Sequence, residues 1–380
     1  MKLIINASNL KTTGVVQVAV SFITECIRFN SNEYYIFMSK TVSEQISPSR
    51  FPANFTFYSI PDYPQHIIKG LRIRRLLAIL ESKIKPDCVF SVFGPSWWTP
   101  KAPNVMGYAL AHYLYHESPI FSILSLKERF RIKLLSIVHK YLFKKNGCFY
   151  VCETEDASRR LIKFLTCSED HVFTVSNTYN HYFATFHPSG SLVLPPKSAS
   201  EFRILIMSTF VTHKNITILN KVIPLLKTQL QEIEVVFILT VDNQVLHEKM
   251  SKEVLQSMVN LGRLPVSKCP SLYYECDALF LPTLMECFSA NFPEAMIMNK
   301  PILTSNLPFC TEVCKDAALY CDPLDPYDIV EKIIRLVKDQ NLRDSLVKNG
   351  RHRLRSFDTA ETRAKKYLEI CENILRIKAG

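Results

Sequence analysis

Residues 278–296 read ALFLPTLMECFSANFPEAM and contain the parts of one strand–loop–helix unit in order. The apolar run Ala278–Leu281 predicts a buried strand. Pro293 is favoured in the first turn of a helix, because a proline lacks the N–H that would have no partner there. Two carboxylates, Glu286 and Glu294, lie eight positions apart, one in the loop and one in the helix. The segment therefore predicts an α/β unit whose loop and helix tip present two acids to one pocket.

The same alternation of short apolar runs and amphipathic stretches continues in both directions along the chain. The apolar runs predict strands at Leu3–Ile5, Tyr34–Met38, Pro86–Val92, Asn104–Ala109, Cys148–Cys152, Phe202–Met207, Glu234–Leu239, Ala278–Leu281 and Pro301–Thr304. The amphipathic stretches predict helices at Val15–Phe29, Ile67–Lys83, Asn215–Leu230, Phe292–Met298, Pro326–Lys338 and Thr359–Lys378, with a further long helix before Cys148. Strands that alternate with helices indicate parallel sheets covered on both faces.

This alternation is interrupted around residues 188–200, where proline, glycine and serine are frequent. A chain of 380 residues also suits two domains better than one core. We expect a Rossmann-like domain over residues 1–187, a linker over 188–200 and a second Rossmann-like domain over 201–358. The last helix, 359–380, is expected to pack back on the first domain. Two such domains would form a cleft between the carboxyl ends of their sheets, where open α/β sheets bind ligands.

The net charge of +11 is unevenly distributed, although the composition, 47% apolar and 21% charged, is that of a globular protein. Residues 1–190 hold 22 lysines and arginines against 13 aspartates and glutamates. The excess concentrates in residues 69–75 and 127–145, which also contain leucine, isoleucine and phenylalanine. These stretches are either solvated helix faces or a surface for anionic lipid headgroups or a phosphate-bearing acceptor. No nucleic-acid-binding motif occurs, and we expect no nucleic-acid partner.

Several kinds of site lack their sequence signature. The twelve cysteines include no C-x-x-C pair, which indicates reduced, mostly buried thiols in a cytoplasmic protein. No apolar run approaches the roughly 18 residues of a membrane span. Neither H-E-x-x-H nor a Cys/His cluster is present, so we expect no metal site. Without a G-x-G-x-x-G fingerprint or a Walker A loop, a dehydrogenase and an NTPase are disfavoured, and no cofactor is expected.

The stretch from Glu286 to Glu294 resembles the E-x7-E motif of retaining GT-B glycosyltransferases of family 4. The resemblance is strongest over residues 200–345 and continues more weakly before them. The segments that follow the family pattern are Thr154–Leu161, Val175–Thr178, Leu261–Pro265, Ser271–Ala278, Asn299–Ser305, Glu312–Val313 and Asp316–Pro326. Two N-terminal stretches, Asn6–Asn9 and Phe93–Trp98, are similar to those of O-antigen and capsule enzymes.

This resemblance implies the GT-B fold, with two facing Rossmann-like domains and a cleft between them. It implies metal-independent transfer of a sugar from a nucleotide diphosphate sugar, with retention of anomeric configuration. Glu294 would bind the ribose hydroxyls, Glu286 would contact the donor sugar, and Lys214 would pair with the diphosphate. The fixed cation would stabilise the charge that grows on the leaving diphosphate. Backbone N–H groups would bind the sugar and diphosphate at three further residues, Phe288, Ser289 and Ala290.

Other candidate residues follow from the same resemblance. His112 comes directly after a predicted strand, where many relatives place a histidine near the reacting sugar; a lone histidine is more often structural. Gly14 corresponds to the family's glycine-rich loop, and Gly262 lies in the lead-in to the motif. Thr209 occupies the place where many members carry an arginine as a second diphosphate contact, and a protonated His213 could substitute for that arginine.

The resemblance predicts a nucleotide-sugar donor and a glycan or lipid-linked glycan acceptor. The predicted process is surface-polysaccharide biosynthesis, such as O-antigen, lipopolysaccharide or capsule assembly, with peripheral contact at the cytoplasmic face of the inner membrane. Three alternatives stay open: a GT-B sugar-nucleotide epimerase, a glycogen-type transferase, and a catalytically idle membrane-associated GT-B scaffold.

Overall fold

The structure, a computed structural model, describes residues 1–188 and 192–379. These residues form two compact units. Unit 1 comprises Met1–Leu114, Ser125–Asn177 and the C-terminal residues from Asp358 onward, whereas unit 2 comprises Tyr115–Leu124 and Thr178–Phe357. Residues 115–124 and 178–187, which the sequence assigned to the first domain, thus belong to unit 2. The predicted linker includes residues 189–191, which lie outside the described residues.

The secondary structure alternates throughout the described residues. The strands are β1 (Lys2–Ala7), β2 (Glu33–Met38), β3 (Phe55–Ser59), β4 (Cys88–Ser91), β5 (Asn104–Gly107), β6 (Phe149–Cys152), β7 (Val172–Thr174), β8 (Glu201–Ile206), β9 (Glu234–Leu239), β10 (Met258–Asn260), β11 (Ala278–Leu281), β12 (Ile302–Ser305) and β13 (Ala318–Cys321). The helices are α1 (Thr13–Glu25), α2 (Lys40–Ser43), α3 (Lys69–Ile84), α4 (Ile120–Ile123), α5 (Leu126–Asn146), α6 (Glu155–Leu165), α7 (His181–Ala184), α8 (Leu219–Gln229), α9 (Asn243–Lys249), α10 (Lys252–Leu255), α11 (Cys269–Glu275), α12 (Asn291–Ile297), α13 (Pro308–Cys314), α14 (Pro326–Lys338), α15 (Gln340–Leu354) and α16 (Ala360–Ala379).

Unit 1 contains a parallel sheet in the order β3-β2-β1-β4-β5-β6-β7. The strand order reverses between β1 and β4, which is the topological switch point of a doubly wound sheet. On one face, α1 and α16 cover an apolar core, in which the ring of Tyr367 lies 5.1 Å from Phe22 and 4.8 Å from Phe90. The other face packs against α3 and Trp98.

Unit 2 contains a second parallel sheet, in the order β10-β9-β8-β11-β12-β13. Its switch point lies between β8 and β11, and its core is formed mainly by those strands together with α8 and α14. The two units are therefore Rossmann-like α/β domains, as the alternation of strands and helices predicts.

Four strands that the apolar pattern did not predict, β3, β7, β10 and β13, all lie at the edges of their sheets. An edge strand is covered on fewer sides than a central one, so it does not need a continuous apolar run. The polar helix α15 was also missed, because only Leu346 and Gly350 among its residues are buried. The largest error in a helix start is at α8, which begins at Leu219 rather than Asn215; the starts of α1, α3, α12 and α16 differ from the prediction by one or two residues.

Candidate active site

The candidate residues of unit 2 lie at the carboxyl edge of its sheet, beside the switch point. β8 runs into the loop that contains Thr209 and then into a short 3-10 helix, Thr212–Lys214. The neighbouring strand, β11, runs into the loop that contains Glu286 and then into α12. Because β8 and β11 are adjacent and parallel, the two loops leave the sheet at the same place. Ligands of open α/β sheets bind at such points.

Three hydrogen bonds fix these two loops within unit 2. The Leu284 N–H donates to the carbonyl of His213 at 2.7 Å, which joins the loop after β11 to the loop after β8. The Asn291 side chain donates to the carbonyl of Met207 at 2.7 Å and ties the start of α12 to the end of β8. Ser118 donates from its hydroxyl to the Leu284 carbonyl at 2.7 Å. The backbone that carries the candidate residues is thus held before any ligand arrives.

Lys214 and Glu286 meet directly. The Lys214 ammonium donates a hydrogen bond to Oε1 of Glu286, and only 11% and 22% of the two side chains are exposed. The second oxygen, Oε2, is buried and accepts no hydrogen bond from any described residue. A buried polar atom without a partner is costly in a folded protein and is a common feature of binding sites. The pair therefore offers a ligand one cation, Lys214, and one hydrogen-bond acceptor, Oε2 of Glu286.

The position of Lys214 depends on the residue that follows it. Asn215 has a φ of 55°, in the left-handed region that asparagine tolerates better than most residues. Its side-chain amide donates to the carbonyl of Pro323 at 2.7 Å, which holds the turn. The sequence pattern found the lysine but placed it at the start of an α-helix rather than in this turn.

His213 does not supply a second cation. Burial, together with the nearby charge of Lys214, lowers the pKa of His213 to about 4, so its imidazole is neutral at pH 7. Without a bound anion, His213 thus supplies no positive charge, and its role beside a diphosphate stays a prediction. Thr209 is exposed in the loop after β8 and carries no charge, and its carbonyl accepts from the Val211 N–H at 3.1 Å.

Glu294 lies in α12 beside the buried Tyr273 of α11. The Tyr273 hydroxyl donates to Oε2 of Glu294 at 3.2 Å and also lies 3.2 Å from Oδ1 of Asn291. Burial raises the pKa of Glu294 to about 8, although the tyrosine hydrogen bond acts in the opposite direction. Without a ligand, this carboxyl group is therefore mostly protonated at pH 7.

The loop between Glu286 and α12 contains the three residues whose backbone was predicted to bind the donor. Phe288 is buried, and its ring lies 6.0 Å from that of Phe357. Ser289 is buried and Ala290 is partly exposed. The N–H groups of these three residues donate no hydrogen bond to other described residues. They are thus available to an anion.

Three glycine and histidine candidates lie elsewhere. Gly262 follows β10 with a φ of 68°, a conformation that L side chains rarely adopt. Gly14 lies in the first turn of α1, where a Cβ would meet no atom within 4 Å. His112 follows β5 in a 3-10 turn, with its ring 4.0 Å from that of Tyr113. Gly14 and His112 belong to unit 1, at the carboxyl edge of the unit 1 sheet.

Sequence reasoning gave no role to the side chains of Tyr273, Asn291 or Ser118. Asn291 could have been identified as a polar residue directly before a predicted helix. Nothing local marks Tyr273, which is 21 positions from Glu294, or Ser118, which is 166 positions from Leu284.

The chain is similar to several known proteins. Residues 195–353 match the family model described as glycosyl transferases group 1, and this segment contains Lys214, Glu286 and Glu294. An uncharacterized glycosyltransferase of Methanocaldococcus jannaschii is 22% identical over 262 residues, 65% of this chain and 70% of that protein. An N,N'-diacetylbacillosaminyl-diphospho-undecaprenol alpha-1,3-N-acetylgalactosaminyltransferase of Campylobacter jejuni is 29% identical over 107 residues, 28% of each chain.

A solved structure has the same fold. Anabaena HepE, in complex with UDP and glucose, superposes with a TM-score of 0.71 over 98% of this chain and 100% of that chain, at 13% identity. Residues 195–353 are therefore similar to a glycosyl transferases group 1 domain, and the two Rossmann-like units have the GT-B fold.

Proposed function

We propose that this protein transfers a sugar from a nucleotide diphosphate sugar to a hydroxyl acceptor, with retention of anomeric configuration. The observation that carries the proposal is the contact between Lys214 and Glu286 at the switch point, with Oε2 of Glu286 left open. A site for glycosyl transfer needs a cation for the leaving diphosphate and an acceptor for the sugar hydroxyls. The hydrogen bond between Lys214 and Glu286 places this cation and this acceptor next to each other.

The chemistry assigns a separate task to each side chain. As the glycosidic bond breaks, negative charge grows on the diphosphate, and Lys214 stabilises that charge in a partly buried site. Oε2 of Glu286 accepts a hydrogen bond from the donor sugar, while Glu294 binds the ribose hydroxyls. Since Lys214 supplies a fixed positive charge at the leaving group, we propose that donor activation needs no metal ion.

The acceptor that we propose is a lipid-linked glycan in surface-polysaccharide biosynthesis, such as O-antigen or capsule assembly. Two observations favour it. The Campylobacter jejuni relative is named for a diphospho-undecaprenol acceptor. The N-terminal half also carries most of the net positive charge, which suits a phosphate-bearing acceptor. Transfer would take place at the cytoplasmic face of the inner membrane.

Two single substitutions test the assigned roles. Glu294→Ala should weaken the binding of nucleoside diphosphate about 10-fold or more in titration calorimetry, because the ribose loses its partner. Lys214→Ala should lower kcat by about 100- to 1,000-fold with a smaller effect on KM, because its contact strengthens in the transition state. The matched controls Glu253→Ala and Lys221→Ala, at exposed positions of unit 2, should resemble the wild type.

Unchanged nucleotide affinity in Glu294→Ala, or unchanged turnover in Lys214→Ala, would contradict these roles. NMR of the product reports the anomeric configuration, and inversion would contradict retention. Conversion of a nucleotide sugar without any acceptor would replace the proposal with an epimerase. Nucleotide binding without turnover on any acceptor would replace it with an idle scaffold.

A further inference from the structure

Helix α5 carries a stripe of apolar side chains that are exposed to solvent. Six of its large apolar residues are between 40% and 82% exposed. The members of the stripe are Leu126, Phe130, Leu134, Ile137, Val138 and Tyr141. Isolated exposed apolar residues are common on protein surfaces, but a contiguous apolar patch usually marks an interaction site.

The spacing of these residues places them on one face of the helix. They recur every three or four positions, which is the period of neighbours along an α-helix. The other side of α5 makes the contacts with unit 1: Phe143 is buried with its ring 4.9 Å from Tyr108, and His139 Nδ1 lies 2.9 Å from the Tyr113 hydroxyl. The core contacts of α5 therefore leave the stripe uncovered.

Basic side chains surround the stripe. Residues 126–146 contain seven lysines and arginines and one acid, Glu128. That acid closes a capping box with Ser125 at the helix start. By the helical period, Arg131 falls along one margin of the stripe, and Lys133 and Lys140 fall along the other. Lysines also lie at both ends of the stripe. Long basic side chains at the margin of an apolar face can extend their charges to phosphate groups while their stems stay on the apolar surface.

A second basic and apolar segment lies on the same side of unit 1. Ile67, Ile68 and Leu71, at the start of α3, are between 63% and 89% exposed and alternate with basic residues. α3 and α5 both contact the indole of Trp97: the Arg74 guanidinium lies 5.6 Å from this ring, and the His139 ring of α5 lies 5.7 Å from it. The two helices are thus neighbours on either side of Trp97.

We infer that the α5 stripe enters the interface of a bilayer that contains anionic phospholipid, while the basic margins contact the lipid headgroups. Charge favours this partner over a protein: the centres of protein interfaces are depleted in lysine, whereas anionic lipid attracts each basic group near its surface. The helix lies on the bilayer rather than through it, since no helix in the described residues is long and apolar enough to cross one.

This inference deepens the proposed function, because a lipid-linked acceptor lies in the same bilayer. Its test measures vesicle binding and does not depend on sugar transfer. Flotation of the full chain with phosphatidylcholine vesicles containing about one-third phosphatidylglycerol should recover bound protein. Vesicles of phosphatidylcholine alone, or about 500 mM salt, should recover much less, because the electrostatic attraction is absent or screened.

Two triple variants measure separately what the apolar stripe and the basic side chains contribute to vesicle binding. Phe130→Ser/Leu134→Ser/Ile137→Ser should weaken vesicle partitioning at least about 30-fold. Lys127→Gln/Arg131→Gln/Lys133→Gln should weaken it on the order of 100-fold at low salt. The substituted apolar side chains are exposed, so the melting temperature should stay near that of the wild type. Matched controls are Tyr327→Ser/Ile377→Ser, both 66% exposed, and Lys249→Gln/Lys252→Gln/Lys338→Gln. Both should bind vesicles as the wild type does.

The inference fails if wild-type protein does not float with anionic vesicles, or if the stripe variant floats as well as the wild type. It also fails if the wild type self-associates in sedimentation velocity and the stripe variant loses that association while its vesicle binding is unchanged. In that case the stripe would be an interface between copies of this chain. Lys214→Ala should float normally, so a loss of sugar transfer in that variant concerns only the proposed function.

Discussion

Glu286 and Glu294 are both carboxylates of one short motif, yet their surroundings differ. Glu286 has a cationic partner in Lys214, whereas the Glu294 carboxyl group has, among the described residues, only the hydroxyl of Tyr273 as a hydrogen-bond partner. A carboxyl group that is desolvated without a cation beside it favours its neutral form, and the pKa of Glu294 is accordingly raised to about 8. Before the donor binds, the site therefore contains one carboxylate, Glu286, paired with a lysine, and one carboxyl group, Glu294, that is mostly protonated.

We expect nucleotide binding to release protons from Glu294. The pKa of this group is about 8 in the folded protein and 4.5 for an ordinary glutamate, so the folded state holds a proton that the unfolded state loses between those pH values. Stability from this group is thus fully present below about pH 4.5 and is lost as pH rises toward 8. Ribose hydroxyls that donate to the carboxylate favour its ionised form and lower its pKa on binding.

Calorimetry at pH 7 in two buffers of different ionisation enthalpy measures this release. We expect somewhat less than about one proton per bound nucleoside diphosphate. Glu294→Gln keeps the shape of the side chain but cannot titrate, so it should abolish the release. Proton uptake, or equal release by wild type and Glu294→Gln, would show that Glu294 is not the group that titrates.

At the scale of elements, the C-terminal helix α16 closes the core of unit 1. Its buried Arg363 donates to Ser21 of α1 at 2.8 Å and also to the side chain of Asn177. The aromatic ring of Tyr367 packs between α1 and β4. A helix nearly two hundred residues from the rest of its unit therefore contributes to the same core as the first strand.

Removal of the Tyr367 ring should destabilise unit 1 strongly. Tyr367→Ala leaves a cavity beside Phe22 and Phe90, and we expect it to cost about 3–5 kcal/mol of the free energy of unfolding. Both tryptophans, Trp97 and Trp98, belong to unit 1, so their fluorescence during denaturant unfolding reports this change. The control Ile377→Ala, on the same helix but 66% exposed, should change stability by less than about 0.5 kcal/mol. Equal effects of both substitutions would contradict this account of the core.

At the scale of the whole molecule, each unit buries its own apolar core. Since the proposed donor contacts Glu286, Glu294 and Lys214, all in unit 2, a nucleoside diphosphate should stabilise that unit first. At about 100 times its Kd, the ligand should add about 2.7 kcal/mol, which corresponds to roughly 5–10 °C for a domain of this size.

Two probes distinguish the units in one sample. Calorimetry should show an upward shift of the unit 2 transition with ligand, while the tryptophan fluorescence of unit 1 should shift by much less. Glu294→Ala should reduce the calorimetric shift. Equal shifts by both probes would mean that the two units unfold as one, and the ligand would then stabilise the whole chain.

The sequence alone determined the α/β class, the central strands, the limits of α14 and the motif that contains Glu286 and Glu294. These features follow from local patterns, because the period of apolar residues reflects which face of a nearby segment is buried. The edge strands were not predicted, because a strand that is covered on fewer sides has a weaker pattern of apolar residues.

Only the tertiary structure decided which groups meet and which are buried. Lys214 and Glu286 are 72 positions apart, and their contact exists because β8 and β11 are neighbours in the sheet. The raised pKa of Glu294, the neutral state of His213 and the exposed stripe of α5 depend likewise on which atoms surround each side chain. Burial and desolvation are set by chain segments remote in sequence, so no local pattern contains them.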